Sequence, residues 1–206
     1  ATCCFEDPPT PYTPGCGNGP FDNATGHSRE GPSGKTSNPY GLLHTVQVYR
    51  TTDFAAFENL GVALPLSARR PGIELRPHVV FCARTQQFVM WFEDRGASGV
   101  SGVPKRGGYT IAQSPTPAGP FAVTHYGVQL PGSGRIGDFD IFVDDDGEAY
   151  HVRTGFDVVR LNPEYTGAAE HMSNFSTPKP SEAPVMFRRS GRYYILPGTG
   201  CCGCVG

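Results

Sequence analysis

Lysine is scarce in this chain: Lys35, Lys105 and Lys179 are the only three among 206 residues, and the other basic side chains are arginines. Seventeen basic groups stand against nineteen acidic ones, a formal net charge of −2. A nucleic-acid binder needs a basic excess that this composition lacks. No apolar run approaches the roughly 18 residues of a membrane-spanning helix. The opening Ala1-Thr2-Cys3-Cys4 has neither the basic segment nor the apolar stretch of a secretory leader, so the expectation is a mature or cut chain. Apolar periodicity of the helical kind is missing as well, apart from one short helical turn expected within residues 163–173. What abounds instead is punctuation, 27 glycines and 20 prolines, on a composition that still holds 13 Phe, 9 Tyr and a single Trp. High turn content together with an aromatic-rich core points to an all-β protein of many short strands.

Seven cysteines fall into two clusters, Cys3, Cys4 and Cys16 near the start and Cys201, Cys202 and Cys204 near the end, with Cys82 alone in an apolar segment. The clusters read as disulfides formed in an oxidising compartment, and an odd count leaves one thiol over. Two acceptor sequons, at Asn23 and Asn174, agree with a secreted, N-glycosylated protein. A thiolate metal site is the competing reading of the terminal cluster, but the spacing of structural zinc ligands is absent.

Internal repetition organises the rest. Arg76-Pro-His-Val-Val-Phe81, Asp138-Phe-Asp-Ile-Phe-Val143 and Glu182-Ala-Pro-Val-Met-Phe187 each set a charged residue three positions before an apolar triplet. A polar turn and a second apolar run follow each, so three β-hairpins are expected, apolar on both faces as in sheets packed between sheets. A second kind of unit alternates with them. Val46-Gln-Val-Tyr49, a loop and Gly61-Val-Ala-Leu-Pro65 resemble Tyr109-Thr-Ile-Ala112, a Pro-rich loop and Gly127-Val-Gln-Leu-Pro131, with a weaker copy from Asp157-Val-Val-Arg-Leu161. Outer unit and hairpin in alternation is the rhythm of four-stranded β-propeller blades. Closure within this length would leave three blades, below the usual range of about four to eight, so strands are expected beyond both ends. A two-sheet sandwich also gives short strands and turns, but it does not explain one shared offset for three charged residues. Residues 1–44, rich in Pro, Gly, Ser and Asn, are expected to form a Cys-containing loop segment in or before the first blade. Residues 45–206 form the incomplete propeller, with residues 94–108 an exposed, mobile excursion.

Inner strands of a propeller run in one direction along its axis, so equal offsets become spatial neighbours. Arg76, Asp138 and Glu182 are thereby expected in one pocket, with His78 and Asp140 on the same rim. Two carboxylates and an arginine form a glycosidase-like set, because one carboxylate makes its neighbour harder to ionise and so able to act as an acid. The alternative is a structural cluster that stitches blades together through ion pairs.

The residues that carry these patterns also carry a resemblance. Gly137-Asp138-Phe-Asp-Ile-Phe-Val-Asp144-Asp-Asp-Gly147, Ser181-Glu182-Ala-Pro184 and Arg76-Pro77-His78-Val with Phe88-Val-Met-Trp91 are similar to the galactanase-like branch of glycoside hydrolase family 43. The resemblance covers residues 45–200 and implies a five-bladed propeller that hydrolyses glycosides with inversion of configuration. It implies Glu182 as the catalytic acid and Asp138 as the residue that tunes it. Arg76, through its planar fork, and His78 and Asp140 on the same rim are the expected substrate contacts, with Glu74 beside them, and the expected partner is a galactose-, arabinose- or xylose-containing polysaccharide or oligosaccharide. No residue here matches the family's general base, and Leu75 stands where that branch has a Glu before the Arg-Pro pair.

No cofactor or metal is called for. Residues 31–36 suggest a phosphate-binding loop, yet Arg29 occupies the place of its first glycine. Asp144-Asp145-Asp146-Gly147 lacks the alternating ligands and distal Glu of a calcium loop and is expected to be a hairpin turn. Cys82 has no basic partner that would make it a nucleophile. Two functions stand: a secreted inverting glycosidase, or a non-catalytic propeller that binds glycans or builds an extracellular assembly.

Overall fold

A computed structural model of the chain describes residues 45–70, 72–96, 107–132, 136–174 and 181–199. Its strands follow one another as the alternating units require. β1 (Val46–Arg50) and β2 (Glu58–Leu64) pair antiparallel as a two-stranded sheet. Their connection is set by side chains that take over backbone N–H groups: Thr51 Oγ1 accepts from Phe54 at 2.9 Å, and Asp53 Oδ1 accepts from Ala55 at 2.9 Å and Ala56 at 3.0 Å. β3 (Ile73–Cys82), β4 (Gln87–Gly96), β5 (Tyr109–Ser114) and β6 (Ala122–Val128) form a four-stranded sheet in sequence order. β7 (Phe139–Val143), β8 (Ala149–Arg153), β9 (Asp157–Leu161) and β10 (Ala168–Asn174) repeat that arrangement. β11 (Ser181–Arg189) and β12 (Arg192–Thr199) end the described chain as a hairpin.

Two complete blade-like sheets thus stand between an outer pair, β1–β2, and an inner pair, β11–β12. The first strands of successive sheets are neighbours, β3 lying against β7 and β7 against β11. The described sheets are open, and no closed propeller ring is present among them.

Apolar residues on both faces of the hairpins have the expected consequence for β4, where residues 89–94 are all buried. Between the two four-stranded sheets, Trp91, Tyr109 and Ile111 pack with Phe139, Ile141, Val159 and Tyr165. Trp91 Nε1 donates to the Tyr165 carbonyl at 2.7 Å, so the one tryptophan is anchored by its polar edge as well as its surface. A second cluster, Leu64, Met90, Phe92, Ala112 and Phe121, joins β1–β2 to the first four-stranded sheet. β11–β12 departs from the two-sided burial: Val185, Phe187, Tyr193, Tyr194 and Leu196 are exposed.

Several expectations change. Within residues 163–173 the structure has a turn closed by Tyr165 N–H to the Asn162 carbonyl at 2.9 Å, and then strand β10. Backbone pairing with β9 decides that segment although Ala-Ala-Glu-His has little β preference. A 3-10 helix at Leu66–Ala68 had no sequence signal. The excursion is shorter than residues 94–108, because Asp94 is buried in β4 and its N–H donates to the Gly108 carbonyl at 3.1 Å. Residues 97–106 lie outside the described residues. So do residues 1–44, with Cys3, Cys4, Cys16, Asn23 and residues 31–36, and likewise Cys201, Cys202 and Cys204.

Candidate functional site

Arg76 on β3 and Asp138, just before β7, meet as their shared offset requires: Arg76 Nε forms an ion pair with Asp138 Oδ1. The other Asp138 oxygen accepts the backbone N–H of Ala183 on β11 at 2.9 Å. One carboxylate therefore ties three inner strands together. Two positions further along, the arrangement repeats. His78 Nδ1 lies 3.4 Å from Asp140 Oδ1, and Asp140 Oδ2 accepts from Met186 N–H at 2.7 Å. Each layer thus runs from a basic side chain on β3, through a carboxylate on or just before β7, to a backbone N–H of β11.

The backbone that aims these groups is unusual at two places. Arg76, at φ +57°, and Ala183, at φ +46°, are non-glycine residues in the left-handed region, each followed by a proline. Register shifts fall at the same places, between Leu75 and His78 in β3 and between Glu182 and Val185 in β11. Left-handed geometry costs a non-glycine residue roughly 1–3 kcal/mol and persists only where surroundings impose it. Here Asp138 binds both residues. On its own strand Asp138 is clamped as well, its carbonyl accepting from Thr154 N–H at 2.8 Å and Thr154 Oγ1 at 3.2 Å.

Glu182 stands beside this cluster, exposed, and adjoins the Ala183 N–H that Asp138 holds. The bulge in β11 makes Ala183, not Glu182, the residue bonded across from Asp138. Glu74 lies elsewhere in its chemistry: it is buried, with Oε2 3.2 Å from Arg69 Nε. Arg69 is itself buried and donates to the carbonyls of Arg70 and Gly72.

Two residues that the repeat did not point to complete the cluster. Glu93 on β4 is fully buried, and its Oε2 lies 3.4 Å from Arg76 Nη1, so the guanidinium has a carboxylate on each side. The available signal was Glu93-Asp94 extending the apolar run that ends at Trp91-Phe92. His151 on β8 is fully buried, stacked on Phe139 at 4.8 Å and flanked by Trp91 and Tyr109. Burial drives its pKa well below the usual histidine value, helped by the Arg153 charge, and keeps the ring neutral. Phe139 separates Asp138 from Asp140, so this stack packs directly behind the carboxylate-bearing segment. His78 is also pushed down by burial, with Asp140 opposing. Burial raises the Tyr109 hydroxyl well above the ordinary tyrosine value.

The acidic Asp144-Asp145-Asp146 segment is a hairpin turn between β7 and β8, as its sequence suggests, with Gly147 N–H donating to the Asp144 carbonyl at 3.0 Å. Arg188 bonds Asp144 at 2.9 Å and Asp145 at 3.0 Å, and the Tyr193 hydroxyl donates to Asp144, so the turn docks on β11–β12. Cys82 is buried, its Sγ 3.4 Å from the Pro163 carbonyl.

No protein-family model and no curated protein sequence matches this chain. Solved structures do. A putative exo-β-1,3-galactanase from Bifidobacterium bifidum s17 matches with a TM-score of 0.62 and 25% identity, over 75% of this chain and 53% of its own length. The exo-β-1,3-galactanase of Clostridium thermocellum matches at 0.62 and 27% identity, over 77% of this chain and 37% of its own. The Phanerochaete chrysosporium exo-β-1,3-galactanase, solved with galactose, shares the fold at 0.61 and 22% identity, over 76% of this chain and 38% of its own. This chain therefore spans about half, or less, of the length of each. Its open sheets share the fold of these galactanase structures over 75% and 77% of this chain for the first two. The chain is thus similar to galactanase-like structures of glycoside hydrolase family 43.

Proposed function

We propose that the protein is a secreted glycoside hydrolase that cleaves galactose-, arabinose- or xylose-containing polysaccharide with inversion at the anomeric carbon. The observation that carries the reading is the Arg76–Asp138–Ala183 chain of contacts, which fixes the backbone beside exposed Glu182. In the reaction Glu182 gives its proton to the glycosidic oxygen as the bond to the anomeric carbon breaks. Water attacks that carbon from the opposite face and passes its proton to a general base, which no residue of this sequence matches. In an inverting enzyme that base stands about 6.5–9.5 Å from the acid. Asp138 tunes and positions the Glu182–Ala183 segment, while Arg76, His78 and Asp140 contact the sugar. Glu74, closed in with Arg69, is left out of the contact set. The exo-β-1,3-galactanase activity of the similar structures makes a galactan the first substrate to try. Secretion is supported by the two cysteine clusters and the sequons at Asn23 and Asn174.

The test is hydrolysis of plant and algal polysaccharides by the full-length gene product, wild type against Glu182→Gln. Loss of a general acid lowers the rate by about 10²–10⁴-fold. An unchanged rate removes Glu182 from the mechanism. A second reading, a non-catalytic glycan-binding propeller, is favoured by the unmatched base and by Asp138 having both oxygens engaged. It predicts glycan binding without product release.

A further inference from the structure

Arg76 has its side chain 36% exposed at the cluster, and among the described residues its two ion pairs are with carboxylates. Asp138 takes Nε from the β7 side, and fully buried Glu93 lies behind Nη1. Among the described residues Glu93 and Asp138 flank this cation, and Asp140 lies 3.4 Å from His78, which burial pushes below the usual histidine value. Arg153, the next cation inward, is matched by Asp157 at 3.0 Å. A guanidinium with a carboxylate on each side still offers N–H donors to a neutral hydroxyl but is a poor receptor for an anion.

We propose that Glu93 is a specificity-determining and positioning residue: by cancelling the Arg76 charge from inside the fold, it makes the site accept neutral glycosides and reject sugars bearing a carboxylate. The proposal rests on the glycosidase reading and adds a charge rule that the reading does not contain. Arg76 alone, with its planar fork, would favour uronic acids. Glu93 reverses that preference without touching the sugar, since it is inaccessible to solvent. It also holds the guanidinium while Arg76 sits in its left-handed bulge.

The experiment is calorimetric titration of the full chain with a neutral β-1,3-linked galactobiose and with the same disaccharide oxidised at C6 to the uronate. Wild type is expected to bind the neutral sugar at least about tenfold more tightly, with the difference shrinking as salt rises. Glu93→Gln keeps the shape and removes the charge, and is expected to shift the neutral-to-uronate ratio about tenfold toward the uronate. General loosening of the fold would weaken both ligands alike and leave that ratio unchanged. The salt series on wild type needs no variant and keeps the idea testable should Glu93→Gln fail to fold. Equal binding of the two sugars by wild type, or a ratio indifferent to both salt and Glu93→Gln, overturns the proposal alone. Failure of wild type to bind either sugar overturns the glycosidase reading and the charge rule with it.

Discussion

Removing the Asp157 carboxylate isolates a buried cation, and the size of the loss follows from the packing around it. Arg153 and Asp157 have side chains 2% and 0% exposed, and Arg153 Nη2 lies 3.0 Å from Asp157 Oδ2. Among the described residues Arg153 otherwise reaches only carbonyls, Leu130 at 3.4 Å and Pro131 at 2.6 Å, and His171 Nε2 approaches the second Asp157 oxygen at 3.1 Å. At 3.0 Å and an effective dielectric near 20, the attraction is about 5 kcal/mol, most of it offset by the desolvation of both ions. Asp157→Ala keeps the desolvated guanidinium and discards its compensation, so a loss of about 3–5 kcal/mol is expected. At about 2–4 °C per kcal/mol for a chain of this size, that is a fall in Tm of about 6–20 °C. The exposed pair Arg50–Glu58 is the control. Its separation is shorter, 2.6 Å, but its side chains are 64% and 58% exposed, and Glu58→Ala should cost about 1 kcal/mol or less. The assay is urea unfolding of the Asp157→Ala and Arg153→Met single variants and the Arg153→Met/Asp157→Leu double variant, followed by Trp91 fluorescence. The double variant should be more stable than either single one. A single variant within about 1 kcal/mol of wild type, or strictly additive losses, would refute the reasoning.

Two further outcomes follow from local geometry. The Tyr193 hydroxyl, then the Asp145 N–H and Arg188, hold the Asp144 carboxyl below its ordinary range. Because this pKa is depressed on folding, its stabilising contribution is complete above about pH 4–5 and is lost as pH falls through the lower folded value. Tyr193→Phe should move the NMR titration of Asp144 up toward the ordinary carboxylate value, and an unmoved midpoint would contradict the assignment. Gly119 adopts φ +84°, and a Cβ there would lie 2.5 Å from the Ala63 carbonyl oxygen, which already accepts from Phe121 N–H at 2.7 Å. Gly119→Ala should lower stability by about 1–3 kcal/mol in urea unfolding, and a neutral effect would show that this approach is not tight.

The alternation of outer pairs and hairpins was legible because apolar runs and turn residues recur at matching places. It located β9 from the weak copy at Asp157-Val-Val-Arg-Leu161, although its partner β10 was hidden in a segment whose residues have little β preference. The meeting of Arg76 and Asp138 was legible for a related reason: β3 and the segment entering β7 keep equal offsets. Glu182 is displaced from its expected alignment by the left-handed Ala183, and no pattern of residue types announces a bulge of that kind. Glu93 and His151 were hidden differently. They lie on β4 and β8, second strands of their hairpins, where only the packing of neighbouring sheets decides which polar side chain faces the cluster.

The claim that Glu182 acts as the acid of an inverting hydrolysis is tested most directly by following galactan cleavage by proton NMR, with Glu182→Gln as the companion variant. From a β-linked substrate the α-anomer should appear first and then mutarotate, and the variant should release it at least about a hundredfold more slowly. First appearance of the β-anomer, or equal rates for the two proteins, would contradict it.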